Sequence, residues 1–138
     1  DIGEAYTGVA LSDPGATLAR PLEAVPSERL DVYLRELFAG GDVAEVVVGV
    51  PKTLGGEVGF QARRVLERVS ALQEAFPEAR FVQWDERFTT RVARTAVRGA
   101  GRGSRKRRRG GKERVDHLAA AAMLQEYLER RGAVAASP

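Results

Sequence analysis

The sequence predicts an α/β fold, and three observations support this prediction. Val46–Val50 and Arg80–Trp84 are rich in β-branched and aromatic residues, which is typical of strands. Between them, apolar residues recur at helical intervals from Ala62 to Phe76. A further helical pattern follows the second strand. Strands that alternate with helices along a chain usually form a parallel sheet, because each helix crosses over the sheet to the next strand.

The first part of the chain is predicted to form a hairpin followed by a helix. Thr7–Ser12 and Leu22–Val25 have the composition of two short strands. Ser27 is then a candidate N-cap for a helix that reaches about Ala39, because serine side chains accept hydrogen bonds from the first N–H groups of helices. Gly40-Gly41 is expected to end this helix.

The middle of the chain supplies the predicted parallel strands. Val46–Val50 is almost continuously β-branched, so we expect it to be covered on both faces and central in the sheet. A glycine-rich loop and the helix Ala62–Phe76 follow, and then the strand Arg80–Trp84. Thr89 or Thr90 is expected to cap one more helix.

The last part of the chain contains a basic loop and a long helix. Gly99–Gly111 has five glycines, five arginines and a lysine, a composition typical of a mobile loop. A helix is expected to run from near Lys112 to about Arg131, and its centre, Leu118–Leu124, is apolar all round, which predicts burial on more than one side. We expect one domain over residues 1–131 and a frayed tail over residues 132–138.

Composition excludes several classes of protein. The chain has no cysteine, which rules out disulfides and thiolate metal sites and agrees with a reducing, cytoplasmic location. A single histidine argues against multi-histidine zinc sites, whereas carboxylate sites for Mg²⁺ or Mn²⁺ remain open. The longest apolar run has seven residues, far below the roughly 20 needed to span a bilayer, so no membrane partner is expected.

The positive charge is concentrated in one segment. Arg98–Arg114 contains nine Lys or Arg and one Glu, hence a net charge of +8. The rest of the chain has 13 basic and 18 acidic residues, hence −5. Such clustering favours a polyanionic partner bound at a defined place, although an arginine-rich loop can also be merely solvated.

Four acidic residues at three places in the sequence are candidates for chemistry, and each place has a simpler structural explanation. Asp85 and Glu86 follow a predicted strand, where acids either face a ligand crevice or stabilise the start of the next helix. Asp1 precedes Gly3 in a pattern that also occurs in ordinary turns. Asp116 shares a largely apolar helix face, or it interacts with the helix dipole.

Taken in order, these pieces resemble the YqgF/RuvX family along nearly the whole chain. The matching motifs are Asp1-x-Gly3 with Gly8–Asp13, Val47–Pro51 with Gly55-Gly56, Asp85-Glu86-Arg87-Phe88-Thr89-Thr90, and Asp116–Ala120 with Leu124–Leu128. The resemblance implies an RNase H-like fold, with a five-stranded mixed sheet flanked by helices. It also implies a metal-dependent nuclease that matures the 5′ end of pre-16S rRNA, with Holliday junction resolution on branched DNA as an older proposal.

The resemblance implies an acidic centre made of Asp1, Glu86 and Asp116, which would act as catalytic groups and as ligands of Mg²⁺ or Mn²⁺. The substrate would be structured RNA or branched DNA, and a non-catalytic RNA-binding module remains an alternative. The basic residues that we expect to bind nucleic acid are Lys52, Arg87, Arg102, Arg105, Lys106, Arg107, Arg108, Arg109 and Lys112.

The chain departs from the family pattern in three places. The run Arg105–Arg109 is more basic than the family's usual loop, which favours phosphate binding. Tyr6 and Thr7 stand where an arginine and an aliphatic residue are usual. The family's first strand normally precedes the position of Asp1, so we expect this sequence to lack a few N-terminal residues.

Overall fold

The computed structural model describes residues 1–51, 59–85 and 108–136, and in the last segment the side chains from 117 to 132. Within these segments the protein is a mixed α/β structure, as predicted. None of the helices described there combines the length and apolar character needed to cross a bilayer. The elements are β1 (Tyr6–Ser12), β2 (Ala19–Pro26), α1 (Leu30–Ala39), β3 (Glu45–Val50), α2 (Phe60–Ala75), β4 (Arg80–Asp85) and α3 (Arg108–Ala136).

Strands β1 and β2 form the predicted antiparallel hairpin. The register runs from Tyr6 opposite Pro26 to Ser12 opposite Ala19, with an irregularity between Val9 and Ala10. Both strands are longer than predicted, because backbone pairing extends past the apolar residues by which the sequence marks a strand.

Strands β3 and β4 are parallel, which confirms the expected strand–helix–strand unit. Glu45 lies opposite Arg80, and Val50 lies opposite Asp85. Helix α2 connects the two strands, and its apolar stripe recurs at three- and four-residue intervals, as an amphipathic helix requires. The buried residues of that stripe are Ala62, Val65, Val69 and Leu72, the first three of which pack with Val48 and Val50 of β3.

The predicted five-stranded sheet is not observed as a single layer. The described strands form two separate pairs, β1 with β2 and β3 with β4. An interstrand cavity of about 270 Å³ is lined by both β1 and β3. Main-chain hydrogen bonds require donor and acceptor about 2.9 Å apart, so the two strands cannot pair across this space. Within the described residues β3 pairs only with β4, so its predicted central position is also not observed.

The prediction that Ser27 caps a helix is wrong. Ser27–Arg29 forms a single 3₁₀ turn, α1 begins at Leu30, and no side chain caps either start. The Ser27 hydroxyl is used for a different contact, described below. The helix ends where predicted, at Gly40, and Gly41 has a φ of +84°, which glycine adopts without a steric penalty.

Helix α3 is longer than predicted at both ends. It begins at Arg108, so residues 108–111 of the expected loop are helical, and it continues to Ala136. Arginine and alanine are good helix formers, and here this preference outweighs the neighbouring glycines. None of residues 117–128 is exposed, which confirms that the apolar centre is buried on more than one side. The helix packs mainly against β1 and β2.

Candidate functional site

Asp1 belongs to a short hairpin that lies along β1. The Asp1 nitrogen donates to the Gly8 carbonyl, and the Gly8 N–H donates to the Asp1 carbonyl, each over 2.9 Å. Ile2 is bridged to Thr7 in antiparallel fashion. Because β2 occupies one edge of β1, these residues occupy the beginning of the other edge. The backbone of Asp1 is therefore fixed by main-chain pairing.

Gly3 makes the tight turn of this hairpin possible. Its N–H donates to the Tyr6 carbonyl over 3.0 Å. A Cβ atom at Gly3 would lie well inside van der Waals contact of that carbonyl oxygen. The glycine of the Asp-x-Gly motif is thus required by a close backbone approach.

The hydroxyl groups of Ser27 and Thr7 stabilise this turn. The Ser27 hydroxyl donates to the Gly3 carbonyl over 2.7 Å and lies 2.9 Å from the Thr7 hydroxyl. Since Ser27 has a single hydroxyl proton, Thr7 is the donor in the second bond. The Ser27 N–H donates to the Ala5 carbonyl over 2.9 Å. Sequence reasoning missed both hydroxyl roles, because no local pattern connects residues 20 or more positions apart.

Arg68 extends this support to the helices. Its Nη2 donates to the Ser27 carbonyl over 2.9 Å and to the Asp31 carboxylate over 2.8 Å. Arg68 belongs to α2 and Asp31 to α1, so the turn that carries Asp1 is attached to both helices. The backbone of Asp1 would therefore already be ordered before the residue binds a ligand.

Ile2 places the Asp1 turn against β3. Its side chain packs on the cluster that contains Val48 and Val50, and on a second cluster formed by Leu30, Leu34 and Leu72. Val50 lies opposite Asp85, the half-buried last residue of β4. The segment of Asp1 therefore contacts the strand whose partner ends at Asp85.

For Glu86 and Asp116, the other two predicted acids, the structure gives only the positions of neighbouring residues. Glu86 lies outside the described residues, immediately after Asp85. Asp116 lies within α3, and its side chain is outside the described part. Ala120, one helical turn later, is buried and lines the same interstrand cavity as Asp1. Among the described side chains, no three potential metal ligands cluster, so the Asp1, Glu86 and Asp116 triad stays a prediction.

The predicted nucleic-acid contacts also stay predictions. Helix α3 includes the backbone of the three basic positions nearest its amino end, and their side chains lie outside the described part. Thr89 and Thr90, the expected helix caps, are outside it as well. Of the basic residues predicted to bind nucleic acid, those in α3 are Arg108, Arg109 and Lys112, and those outside the described segments are Lys52, Arg87, Arg102, Arg105, Lys106 and Arg107.

Asp13, at the other end of β1, has a structural role. Its carboxylate accepts hydrogen bonds from the Thr17 N–H (2.7 Å), the Thr17 hydroxyl (2.6 Å) and the Leu18 N–H (2.9 Å). The hydroxyl bond, followed by the two N–H bonds, lowers the pKa of Asp13 to about 2. Gln125 of α3 accepts from the Ala19 N–H and donates to the Thr17 carbonyl, so it fastens this turn to the helix.

Glu45 anchors α3 at the beginning of β3. The Tyr127 hydroxyl donates to Glu45, Arg131 lies 3.5 Å from the same carboxylate, and Arg80 lies 3.7 Å from it. Burial, and then the hydrogen bond to Glu45, raise the pKa of Tyr127. Because Asp85 pairs with the other end of β3, this polar cluster lies away from the candidate site and holds the helix in place.

Comparison with known proteins identifies the family. A family model described as "RuvX: Holliday junction resolvase" matches residues 1–130. The chain belongs to the RuvX family. This confirms the resemblance that the motifs indicate, and the acidic positions discussed above fall within the matched region.

Similar proteins of the family occur in several bacteria. A protein of Rubrobacter xylanophilus is 59% identical over 132 residues, which cover 96% of this chain and 91% of that protein. Proteins of Mycobacterium tuberculosis (38% over 135 residues; 95% of this chain, 76% of theirs) and Nocardia farcinica (35% over 143 residues; 97% and 77%) are also similar. All three carry the name "Putative pre-16S rRNA nuclease".

Proposed function

We propose that this RuvX family member is a divalent-metal-dependent nuclease that hydrolyses phosphodiester bonds during 5′-end processing of pre-16S rRNA. The names of the relatives support a nuclease acting on this RNA. The observation that carries the proposal is the packing of Ile2 against Val48 and Val50. This packing holds Asp1 beside the strand pair that ends at Asp85, directly before Glu86.

The ligand chemistry fits Mg²⁺ or Mn²⁺. The proposed ligands are the carboxylates of Asp1, Glu86 and Asp116, and hard divalent cations prefer oxygen ligands. The half-buried Asp1 stands on a turn that is fixed by Gly3 and Ser27, so little ordering is needed when it accepts a ligand. When bound, such ions neutralise charge on the scissile phosphate and lower the pKa of an attacking water.

The chain's own task is then to supply carboxylates and to hold the nucleic acid. Arg98–Arg114, with its net charge of +8, is suited to neutralising backbone phosphates. The amino end of α3 lies within this segment, and the helix dipole adds partial positive charge there. Each phosphate neutralised should add about 0.7 to 0.9 to the dependence of log affinity on log salt concentration.

The substitution Glu86→Gln tests the metal centre. It removes the charge and preserves the shape, so we expect loss of Mg²⁺- or Mn²⁺-dependent cleavage with nucleic-acid affinity largely kept. Glu78→Gln, at an exposed position before β4, is the matched control and should cleave normally. Unchanged cleavage by purified Glu86→Gln protein would remove Glu86 from the proposed centre.

Resolution of branched DNA is the second candidate, and the family description favours it. Because the phosphodiester chemistry is the same for both substrates, the acidic residues do not separate them. We would compare cleavage of a pre-16S rRNA 5′-end mimic and of a four-way DNA junction under identical metal and salt conditions. Faster cleavage of the junction would favour the second candidate. Tight, salt-sensitive binding without cleavage of either substrate would instead indicate an RNA-binding module.

A further inference from the structure

Phe60 places an aromatic ring on the surface of α2. The residue is 75% exposed, the largest value among the large apolar residues that the structure describes. The core-facing stripe of the helix starts at Ala62, and Phe60 lies on the other side, because two residues turn a helix by about 200°. Single exposed apolar residues are common on protein surfaces, so the surroundings of the ring have to show whether this one has a role.

Arg64 covers one face of this ring. Phe60, Arg63 and Arg64 lie on one side of the helix, because residues three and four positions apart are neighbours there, and all three are exposed. The guanidinium carbon of Arg64 lies over the ring, 5.9 Å from its centroid. Since 75% of Phe60 stays exposed, the other face of the ring is open to solvent.

The ring stands at the end of the sheet where the acidic site is expected. Helix α2 connects the end of β3 with the start of the parallel strand β4, so its first turn lies at the carboxyl ends of both strands. Ala62 packs with Val50, and Val50 lies opposite Asp85, the residue before Glu86. In open α/β sheets this edge faces the ligand crevice.

Arg64 also connects the ring with the turn that carries Asp1. Its Nη1 lies 3.5 Å from the carboxylate of Glu4, which follows Gly3 in that turn. The side chains of Arg64 and Glu4 are 46% and 81% exposed, so this ion pair adds little to stability. Its effect is to hold the guanidinium between the ring and the turn. Phe60 is therefore separated from the Asp1 turn by a single side chain.

The charges around the ring indicate which part of a nucleic acid fits. Four charged residues surround it, two basic and two acidic, and they sum to zero: Arg63, Arg64, Glu4 and Glu67. A neutral surface attracts phosphates weakly, whereas an open aromatic face can stack with a planar base. Among the described residues, the neighbours of Phe60 on this side of α2 are charged, whereas a docking protein usually needs a contiguous apolar area.

We propose that the open face of Phe60 stacks on an unpaired base of the strand that the acidic site cleaves, with Arg64 as the positioning residue for the ring. This role rests on the nuclease function proposed above, and it adds a substrate class: nucleic acid that is single-stranded next to the scissile bond. Stacking on an aromatic ring tolerates any sequence, because every base has a π face. Bases inside a duplex are covered by their neighbours, so only an unpaired base can reach the ring.

Binding of a single-stranded RNA of about 12 nucleotides tests the stacking, measured by fluorescence anisotropy in EDTA so that metal-dependent cleavage is absent. Phe60→Ala should weaken binding about tenfold, because one base–aromatic stack is lost. Leu18→Ala is the matched control, since Leu18 is 67% exposed and lies in the turn at the far end of β1. It should bind like wild type. Equal affinities of Phe60→Ala and wild type would overturn the proposal.

Two further substitutions separate stacking from a simple apolar contact. Leucine keeps apolar bulk without a π face, so Phe60→Leu should lose most of the affinity that Phe60→Ala loses. Phe60→Trp should bind at least as tightly as wild type. Because the position is exposed, these variants should melt within about 3 °C of wild type. Wild-type affinity in Phe60→Leu would indicate an apolar contact and would overturn the stacking.

The kind of strand and the salt dependence provide independent readouts. A fully paired RNA duplex should bind Phe60→Ala and wild type equally, and an equal loss with duplex and single strand would overturn the requirement for an unpaired base. Single-stranded DNA of the same sequence should show the same loss as RNA, because the π face is common to both. A loss with RNA alone would indicate a contact to the sugar and would overturn the stacking. The slope of log affinity against log salt concentration should not change in Phe60→Ala, since stacking releases no counterions, and a shallower slope would count against the proposal.

The indole added in Phe60→Trp reports the stack directly. The wild-type chain contains one tryptophan, Trp84, and its emission in the wild-type protein provides the background. On addition of the single-stranded RNA, the emission of Phe60→Trp should fall by more than that of wild type, because a stacked base quenches indole fluorescence. Equal changes in the two proteins would overturn the proposal.

Failure of the stacking and failure of the nuclease function have different signatures. Binding in EDTA does not depend on the metal centre, so Glu86→Gln can keep or lose cleavage without changing the readouts at Phe60. If Phe60→Ala binds and cleaves like wild type while Glu86→Gln is inactive, only the stacking is overturned.

Discussion

The two ends of β1 carry the same short pattern, Asp-x-Gly, in two different structural roles. Asp13-Pro14-Gly15 forms a turn in which the Asp13 carboxylate itself accepts three hydrogen bonds from Thr17 and Leu18. Asp1-Ile2-Gly3 forms a turn that is held by the Gly3 N–H and by the Ser27 hydroxyl. The Asp13 side chain stabilises its own turn, whereas the turn that contains Asp1 is stabilised by hydrogen bonds from Gly3 and Ser27.

This difference decides which acid is suited to chemistry. A carboxylate that already accepts several hydrogen bonds would have to give them up to bind a metal, and the turn would be lost with them. The bonds that hold the Asp1 turn come from the Gly3 N–H and from the Ser27 and Thr7 hydroxyls, and their acceptors are main-chain carbonyls and the Ser27 hydroxyl. Identical local sequence patterns therefore have to be separated by tertiary contacts.

The largest expected effect distinguishes the two aspartates by activity. Asp1→Asn should lower metal-dependent cleavage by two orders of magnitude or more, on the order of 3 kcal/mol of transition-state stabilisation, because it removes a proposed metal ligand. Asp13→Asn should cleave at nearly the wild-type rate at neutral pH. Single-turnover cleavage of the pre-16S rRNA mimic measures both. Equal loss in the two variants would contradict the division of roles.

The two glycines should differ in stability. Gly3→Ala should lower the free energy of unfolding by about 2 kcal/mol, because the new Cβ collides with the Tyr6 carbonyl and the backbone must shift. Gly15→Ala is the matched control: its Cβ would lie 3.6 Å from Asp13, an ordinary contact, so we expect a change within about 0.5 kcal/mol. Urea unfolding measures both. A smaller effect at Gly3 than at Gly15 would refute the steric argument.

Removal of the Ser27 hydroxyl should have a smaller effect on stability. Ser27→Ala takes a donor from the Gly3 carbonyl and leaves the hydroxyl of Thr7, which is only 3% exposed, without this acceptor. We expect a loss of about 1 to 2 kcal/mol in unfolding free energy. Ser70→Ala, at an exposed position of α2, should be nearly neutral. In the double mutant with Thr7→Val, the losses should be less than additive, since the two hydroxyls share one bond. Full additivity would contradict the proposed coupling.

The contrast between the two turns also shows how far sequence alone reaches. Helix α2 and the parallel pair β3–β4 were predictable, because their apolar periodicity directly reflects burial. The prediction for Ser27 is wrong, because a serine before a helix has the same local sequence whether it caps that helix or donates to a carbonyl 24 residues away. Helix α3 begins four residues before its predicted start, because glycine disfavours and arginine favours helix in the same segment.

The candidate site shows the same limit. The resemblance to a family selects Asp1, Glu86 and Asp116, and the packing of Ile2 on β3 supports the first of them. What holds Asp1 in place depends on Ser27 and Arg68, which are distant in sequence and come together only after α1 and α2 have packed. Supporting contacts of this kind have no local signature, so a structure is needed to find them.

The smallest expected effect concerns acid stability and isolates the Asp13 turn. Its pKa is lowered from 3.8 to about 2 in the folded protein, chiefly by the Thr17 hydroxyl. A folded-state pKa below the unfolded value means that this contribution to stability is complete above about pH 4 and is lost as the pH falls towards 2. The difference in melting temperature between wild type and Asp13→Asn should therefore shrink from pH 5 to pH 2. Asp42→Asn, at an exposed position after α1, serves as the background. A difference that stays constant over this range would show that the Asp13 charge does not stabilise its turn, and the contrast with the Asp1 turn would then rest on geometry alone.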